Sequence, residues 1–246
     1  MNGKVIGIIP ARYESTRFPG KPIHPIAGKP LVMWVYEQAS KARRLDEVVV
    51  ATDDERIFDT VAGAGGIAVM TRSDHQTGTD RLAEAASSRE CGLVVNIQGD
   101  EPLMDPELID KAVERFSAIP DFKFGSAMTP IRNEEDIENP NIVKVVAGRA
   151  GQALYFSRYP IPFRRKTGFL PVYQHIGFYV YSKDFLLEYS RMAPTPLEQT
   201  ECLEQLRALE NGVRIDMIET EYRGIGVDMP EDVLRIEEEI ARKGLS

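Results

Sequence analysis

Arg12, Arg17 and Lys21 lie within one stretch, Pro10-Ala-Arg-Tyr-Glu-Ser-Thr-Arg-Phe-Pro-Gly-Lys-Pro22, and three cations so spaced suit a polyphosphate. An arginine fork holds two phosphate oxygens at once, whereas a lysine ammonium is a point charge that can follow negative charge onto a leaving group. A lone Arg or Lys in a loop is ordinarily just solvated. Here Pro10, Pro19 and Pro22 fix φ at three positions and Gly20 frees one between them, so the loop is expected to be shaped. It is not a Walker A loop, because Gly20-Lys21 is followed by Pro22, which has no hydroxyl to offer a metal.

The carboxylates that could answer these cations are Asp100, in Gln98-Gly-Asp-Glu-Pro102, and Asp228, in Gly224-Ile-Gly-Val-Asp-Met-Pro-Glu-Asp232. A carboxylate facing a phosphate loop suits Mg²⁺, which is usually held by one or two carboxylates together with substrate phosphates. Asp100 reads equally well as a turn aspartate, and Asp228 as the cap of a helix that starts at Pro230. The two can share a metal only if the segments carrying them are neighbours.

The elements that must position these residues alternate. Val5-Ile-Gly-Ile-Ile9 is a continuous apolar run, the pattern of a strand buried on both faces, and the cationic loop leaves its carboxyl end. A helix is predicted over 30–44, a strand over 47–52, a helix from the Asp53-Asp54 cap through Ala62, and a strand over 67–70. A helix opening at Thr77 runs through Ala86, a central strand covers 93–98, and a helix capped by Asp105 covers 106–116. This alternation implies parallel strands with right-handed crossovers.

Beyond Gly125 short β-like runs (142–147, 153–156, 175–181) are broken by Gly and Pro, and Pro160 to Gly168 suits no regular element. Roughly 125–195 is therefore expected to be a β-rich extension with an exposed arm, used for homodimer contact. One helix over 196–212 with Leu203, Leu206 and Leu209 inward, a strand over 214–218 and a helix over 230–243 follow. The expected fold is α/β: a Rossmann-like, mostly parallel sheet flanked by helices, in a single domain over 1–246.

Composition narrows the partners. With 38 acidic against 30 basic residues and a net charge of −8, a nucleic-acid partner is not expected, and the basic loop stands out against the sign of the whole chain. Cys91 and Cys202 have no Cys or His neighbours in zinc-site spacing and read as buried apolar residues. No run approaches the roughly 20 apolar residues of a membrane span, and the first apolar run is shorter than the about 7 to 15 of a signal peptide. A cytoplasmic protein is expected. No Gly-x-Gly-x-x-Gly follows the first strand, which disfavours an NAD enzyme.

Taken together, Pro-Ala-Arg-x-x-Ser-x-Arg-x-Pro-Gly-Lys-Pro at 10–22, Met-Thr-Arg-x-Asp-His-x-Thr-Gly-Thr-Asp-Arg at 70–81 and Gln-Gly-Asp-Glu-Pro at 98–102 give the chain a family likeness. Further anchors are Ala-Leu-Tyr-Phe-Ser-Arg at 153–158, His-Ile-Gly-Phe-Tyr at 175–179, Leu-Glu-Gln-Leu-Arg at 203–207 and Val-Asp-x-Pro-Glu-Asp at 227–232. The chain resembles the 3-deoxy-manno-octulosonate cytidylyltransferases, the CMP-KDO synthetases of bacterial lipopolysaccharide biosynthesis, over nearly its whole length.

The resemblance implies that CTP and KDO give CMP-KDO and diphosphate in a Mg²⁺-dependent reaction. It implies nucleotide contacts from Ala11, Arg12, Lys21, Thr71, Arg72, His75, Gly78, Thr79, Arg81 and Gln98, with Arg12, Arg17, Lys21 and Asp100 catalytic. Asp100 and Asp228 would ligate the metal, and Gln98, His175, Tyr179, Glu204 and Gln205 would contact the sugar acid. Read without the family, His175 is as well a packed histidine and Glu204 and Gln205 an exposed helix face. Gln174, Phe178 and Val180 depart from the expected surroundings of Tyr179 and leave room for an amino-substituted octulosonate as acceptor. Other readings are a CMP-sialic acid synthetase, a sugar-1-phosphate nucleotidyltransferase and a CTP-binding regulator without turnover.

Overall fold

The structure is a computed structural model that describes residues 3–14, 17–166 and 171–245; Ser15 of the opening motif and Thr167 and Gly168 of the arm lie outside the described residues. In chain order the first half contains β1 (Val5–Ala11), a 3₁₀ turn (Lys21–Ile23), the ribbon β2 (Pro25–Ile26) and β3 (Lys29–Pro30), α1 (Leu31–Ala39), β4 (Glu47–Thr52), α2 (Glu55–Gly63), β5 (Ala68–Met70), α3 (Gly78–Ser87), β6 (Leu93–Asn96) and α4 (Pro106–Ser117). The second half contains β7 (Phe124–Pro130), α5 (Glu134–Glu138), β8 (Lys144–Ala147), β9 (Ala153–Ser157), β10 (Tyr173–Ser182), α6 (Lys183–Tyr189), α7 (Pro196–Glu201), α8 (Gln205–Glu210), β11 (Ile215–Glu219) and α9 (Asp232–Arg242).

The main sheet runs β11-β7-β10-β6-β1-β4-β5, with β8 and β9 attached beside β10. Strands β6, β1, β4 and β5 are parallel, as the alternating pattern predicts, and β11 is parallel to β7. Strand β10 is antiparallel to both of its neighbours in that order, β7 and β6. Helices cover both faces. Ile9, Val50, Val95 and Phe178 pack with α1, α2 and α4 on one side, and Ile6, Ile8, Val94 and Tyr181 with α3, α6 and α8 on the other.

The polar caps act as the sequence suggests. Asp54 accepts from the N–H of Arg56, Asp105 from that of Glu107, and Thr77 and Asp80 close a reciprocal capping box at α3.

Several expectations need correction. Strand β7 was not anticipated, yet it lies inside the sheet between β11 and β10, so the second half completes the central sheet as well as extending it. Helix α1 stops at Ala39, where the Ser40 hydroxyl donates to the carbonyl of Tyr36. The single helix predicted over 196–212 is two, because Cys202 adopts φ +53°. The Arg158 guanidinium draws the carbonyls of Glu201 (2.8 Å) and Cys202 (3.4 Å) out of helical pairing.

Cys202 is exposed and Cys91 half-buried, so neither is the buried residue expected. Helix α9 begins at Asp232, whose carboxylate accepts from the N–H groups of Asp228 and Met229; Asp232 makes the turn, and Asp228 is not the helix cap.

Candidate active site

Strands β1 and β6 are parallel neighbours, so the loops leaving their carboxyl ends meet at one sheet edge, the usual ligand position in an open α/β sheet. A cavity of about 280 Å³ lies there, lined among others by Arg12, Arg17, Lys21, Gln98, Asp100 and Asp228. The opening loop is folded back on itself: the N–H of Gly20 donates to the carbonyl of Tyr13, and Gly20 sits at φ +73°. Arg56 covers the Tyr13 ring at 3.3 Å.

A third apolar cluster lies under this edge. Phe18, Leu103 and Val227 pack there with Trp34, Ile236 and Ile240, so the residues next to Arg17 and Asp228 are themselves buried.

Cations and carboxylates are matched across the cavity. The Lys21 ammonium donates to Asp100 (3.0 Å) and to the carbonyl of Val227 (2.8 Å), and Arg17 pairs with Asp228 at 3.1 Å. The N–H of Val227 donates to the carbonyl of Asp100, which fixes the two aspartate-bearing segments side by side. Arg81 is buried and held by Asp53 (2.8 Å) and by the hydroxyl of Thr71. Arg12 lines the cavity with no ion pair among the described residues.

Both Arg17 and Asp228 are more than half exposed, so their pair contributes on the order of 0.2–1 kcal/mol and is readily exchanged. Two carboxylates already dressed with cations form a hard oxygen donor set. Among the described residues no group of three or more His, Cys, Asp or Glu side chains is placed to hold a metal ion.

The other implied nucleotide residues divide. Ala11, His75 and Gly78 line the cavity with Arg81 and Gln98. Thr71 reaches it only through Arg81. Arg72 turns away to pair with Asp74, beside the His75 ring that hydrogen-bonds Glu84. Thr79 is buried on the α8 side, where its hydroxyl opposes the upward push that burial gives the Glu204 carboxyl.

The implied sugar residues form a second polar cluster. The Tyr179 hydroxyl donates to Gln205 Oε1 (3.5 Å), and Gln205 Nε2 faces His175 Nδ1 (3.5 Å). His175 Nε2 lies 2.9 Å from the Ser126 hydroxyl, which itself donates to the carbonyl of Phe178 at 2.9 Å. With the Ser126 proton committed to that carbonyl, Nε2 carries the His175 proton and Nδ1 accepts from Gln205. Burial lowers the His175 pKa to about 3, so the ring is neutral.

Gln205 is buried and not on an exposed face, because the break at Cys202 turns α8 inward. Tyr179 lies on the strand beside the one that leads to the cavity. It pairs with Asn96, two residues before Gln98, and both Glu204 and Glu101 add to the upward push of burial on its hydroxyl.

Residues that sequence reasoning missed are Asp53, Asn96, Glu101, Ser126 and Tyr222. Asn96 Oδ1 and Glu204 Oε1 are buried with no partner among the described residues. Tyr222 donates to Glu101 at 2.9 Å, and burial pushes that carboxyl up to about 7. Only Glu101 had a local signal, its place in Gln98-Gly-Asp-Glu-Pro102.

A doubly covered sheet with a basic loop and paired aspartates at its carboxyl edge defines a nucleotidyltransferase of the α/β class. The chain belongs to the cytidylyltransferase family, whose model matches residues 6–215. It is 50 % identical over 250 residues to a 3-deoxy-manno-octulosonate cytidylyltransferase of Geobacter metallireducens, covering 97 % of this chain and 98 % of that protein. A protein of the same name from Solibacter usitatus is 51 % identical over 237 residues, covering 96 % and 94 %.

Among solved structures, a CMP:2-keto-3-deoxy-manno-octonic acid synthetase complexed with CTP superposes with a TM-score of 0.94 at 39 % identity, covering 98 % of this chain and 99 % of that one. A 4-diphosphocytidyl-2C-methyl-D-erythritol synthase from Anaerococcus prevotii shares the fold, with a TM-score of 0.65 at 15 % identity over 97 % of this chain and 99 % of that one.

Proposed function

We propose that the chain transfers the cytidylyl group of CTP to 3-deoxy-manno-octulosonate, giving CMP-KDO and diphosphate. The observation that carries this reading is two unlike clusters linked through the β6–β10 pairing, where Tyr179 stands opposite Asn96: cations and aspartates at the ends of β1 and β6, and a polyol-type set at His175, Tyr179, Glu204 and Gln205. The names of the relatives and the CTP held by the similar synthetase support it.

Arg12 and Arg17 grip the triphosphate, and Lys21 neutralises the charge that grows on the departing diphosphate. The anomeric oxygen of the sugar attacks the α-phosphorus, the bond from that phosphorus to the bridging oxygen breaks, and the hydroxyl proton leaves to solvent. Catalysis is then mostly positioning and charge neutralisation. Asp100 and Asp228 would hold Mg²⁺, which would neutralise phosphate oxygens and acidify the attacking hydroxyl. Gln205, with both ends of its amide committed, presents a fixed face to the acceptor. Asn96 Oδ1 and Glu204 Oε1 would accept from sugar hydroxyls, and a buried site built to bond hydroxyls rejects acceptors that lack them.

The same reading takes the protein as cytoplasmic, in lipopolysaccharide precursor synthesis, and as a homodimer. Tyr159 and Phe163 on the arm are 77 % and 90 % exposed, an apolar surface suited to a second copy. Among the described residues no helix is long and apolar enough to cross a membrane. The deciding assay is diphosphate release from CTP with a panel of acceptors. Release with KDO and none with sugar 1-phosphates is expected; the reverse pattern would sink the proposal.

A further inference from the structure

The segment that carries Asp228, residues 220–231, is the connection from β11 to α9 and contains no helix or strand, yet one of the two paired aspartates depends on it. Something must hold it to the 98–102 turn. One tie is the Val227 N–H on the Asp100 carbonyl, and another is Lys21 on the Val227 carbonyl. The latter binds the segment through a side chain that the proposed reaction itself uses.

A further tie has no assigned role. Tyr222 Oη donates to Glu101 Oε2 at 2.9 Å. The same carboxylate lies against the backbone at Gly224, where a Cβ would come within 3.0 Å of both of its oxygens. Glu101 is thus clasped at two points by the segment that ends in Asp228, while its neighbour Asp100 faces the cavity. A buried carboxylate is an expensive way to fill space, since an apolar side chain of similar volume costs no desolvation.

We propose that Glu101 and Tyr222 are positioning residues for the reaction. By fastening 222–227 to the 98–102 turn they set the separation of the Asp100 and Asp228 carboxylates. Neither residue touches substrate. Their action is on how well the two aspartates receive one cation, and this rests on the reading of Asp100 and Asp228 as a shared cation site.

Substitutions can separate this from a merely structural role. The Tyr222 ring also packs against the large core cluster. Tyr222→Phe therefore keeps the ring's packing and removes only the hydroxyl. Glu101→Gln keeps the shape and an oxygen that can accept from Tyr222, so it should act as the conservative rescue. Gly224→Ala would bring a Cβ within 3.0 Å of both Glu101 oxygens, so the carboxylate must shift in its clasp to admit it.

The test is Mn²⁺ binding to the CTP-loaded protein, followed by electron paramagnetic resonance, beside thermal unfolding and the metal dependence of turnover. Tyr222→Phe should weaken Mn²⁺ binding about five- to tenfold, in line with one lost hydrogen bond of ordinary strength, and raise the half-saturating metal concentration equally. At saturating metal kcat should stay within about twofold of the parent, whereas Glu101→Gln should bind Mn²⁺ nearly as the parent does. Should Tyr222→Phe fail to fold, Gly224→Ala must give the same weakening. Unchanged Mn²⁺ affinity in a folded Tyr222→Phe or Gly224→Ala protein overturns the positioning role. Absence of Mn²⁺ binding in the unsubstituted CTP-loaded protein overturns the cation-site reading beneath it.

Discussion

The ammonium of Lys21 lies 3.0 Å from the Asp100 carboxylate, although Lys21 belongs to the proposed triphosphate grip and Asp100 to the proposed metal site. A side-chain cation thus occupies one of the two oxygens that Asp100 could offer a divalent ion. A metal at that oxygen competes with Lys21, and a triphosphate can draw the ammonium away. Mn²⁺ should bind at least about tenfold more tightly with CTP present than without, by titration calorimetry. Lys21→Met should improve binding without nucleotide while it depresses turnover. Equal affinity with and without CTP would remove the exchange.

Asp100→Asn and Asp228→Asn should each lower kcat about a hundredfold or more, with thermal unfolding little changed. The backbone at both positions is held by groups the substitution leaves alone: the Val227 N–H on the Asp100 carbonyl, and Asp232 on the N–H of Asp228. A rate within a few fold of the parent for either variant takes that carboxylate out of the site.

His175 should govern acid stability without titrating near neutrality. Its folded-state pKa, near 3, lies below the 6.5 of an unperturbed imidazole, so the unfolded chain binds the proton more tightly. The stability it confers is whole above pH 6.5 and falls as the pH drops toward 3, by up to about 1.4 kcal/mol per pH unit. His175→Gln should flatten that slope in denaturant melts at a series of pH values. An imidazole NMR resonance that titrates between pH 6 and 7 would show the ring to be solvated instead.

Gln205→Ala should raise the KM for the sugar acid about tenfold and leave CTP affinity alone, since the amide is committed to Tyr179 and His175 and touches no cavity cation. Steady-state kinetics with both substrates varied decides it. A matching loss of CTP affinity would mean that the two clusters act as one.

The meeting of the cationic loop with Asp100 at one sheet edge was legible because it is local: one loop of cations after one apolar strand, with strands that repeat in order. The acceptor end was not legible from spacing alone, and its residues came only from the family likeness. Strand β7 escaped because Gly125, Ser126 and Ala127 show no alternation; Gly125 is required by the Phe116 ring packed over it, which no local pattern reveals. The break at Cys202 depends on Arg158, more than 40 residues upstream, taking up two carbonyls, and that break is what turns Gln205 inward. Tyr222 and Glu101 are 121 positions apart, beyond any motif.

The apolar cluster that joins Phe18 to Val227, Ile236 and Ile240 has a consequence for synthesis on the ribosome. The cationic loop is synthesised long before α9, yet part of its buried underside is Ile236 and Ile240 of that helix. Lys21 finds the Val227 carbonyl 206 residues downstream. A nascent chain can assemble most of the sheet and still lack the packing beneath the loop, which closes only when α9 docks.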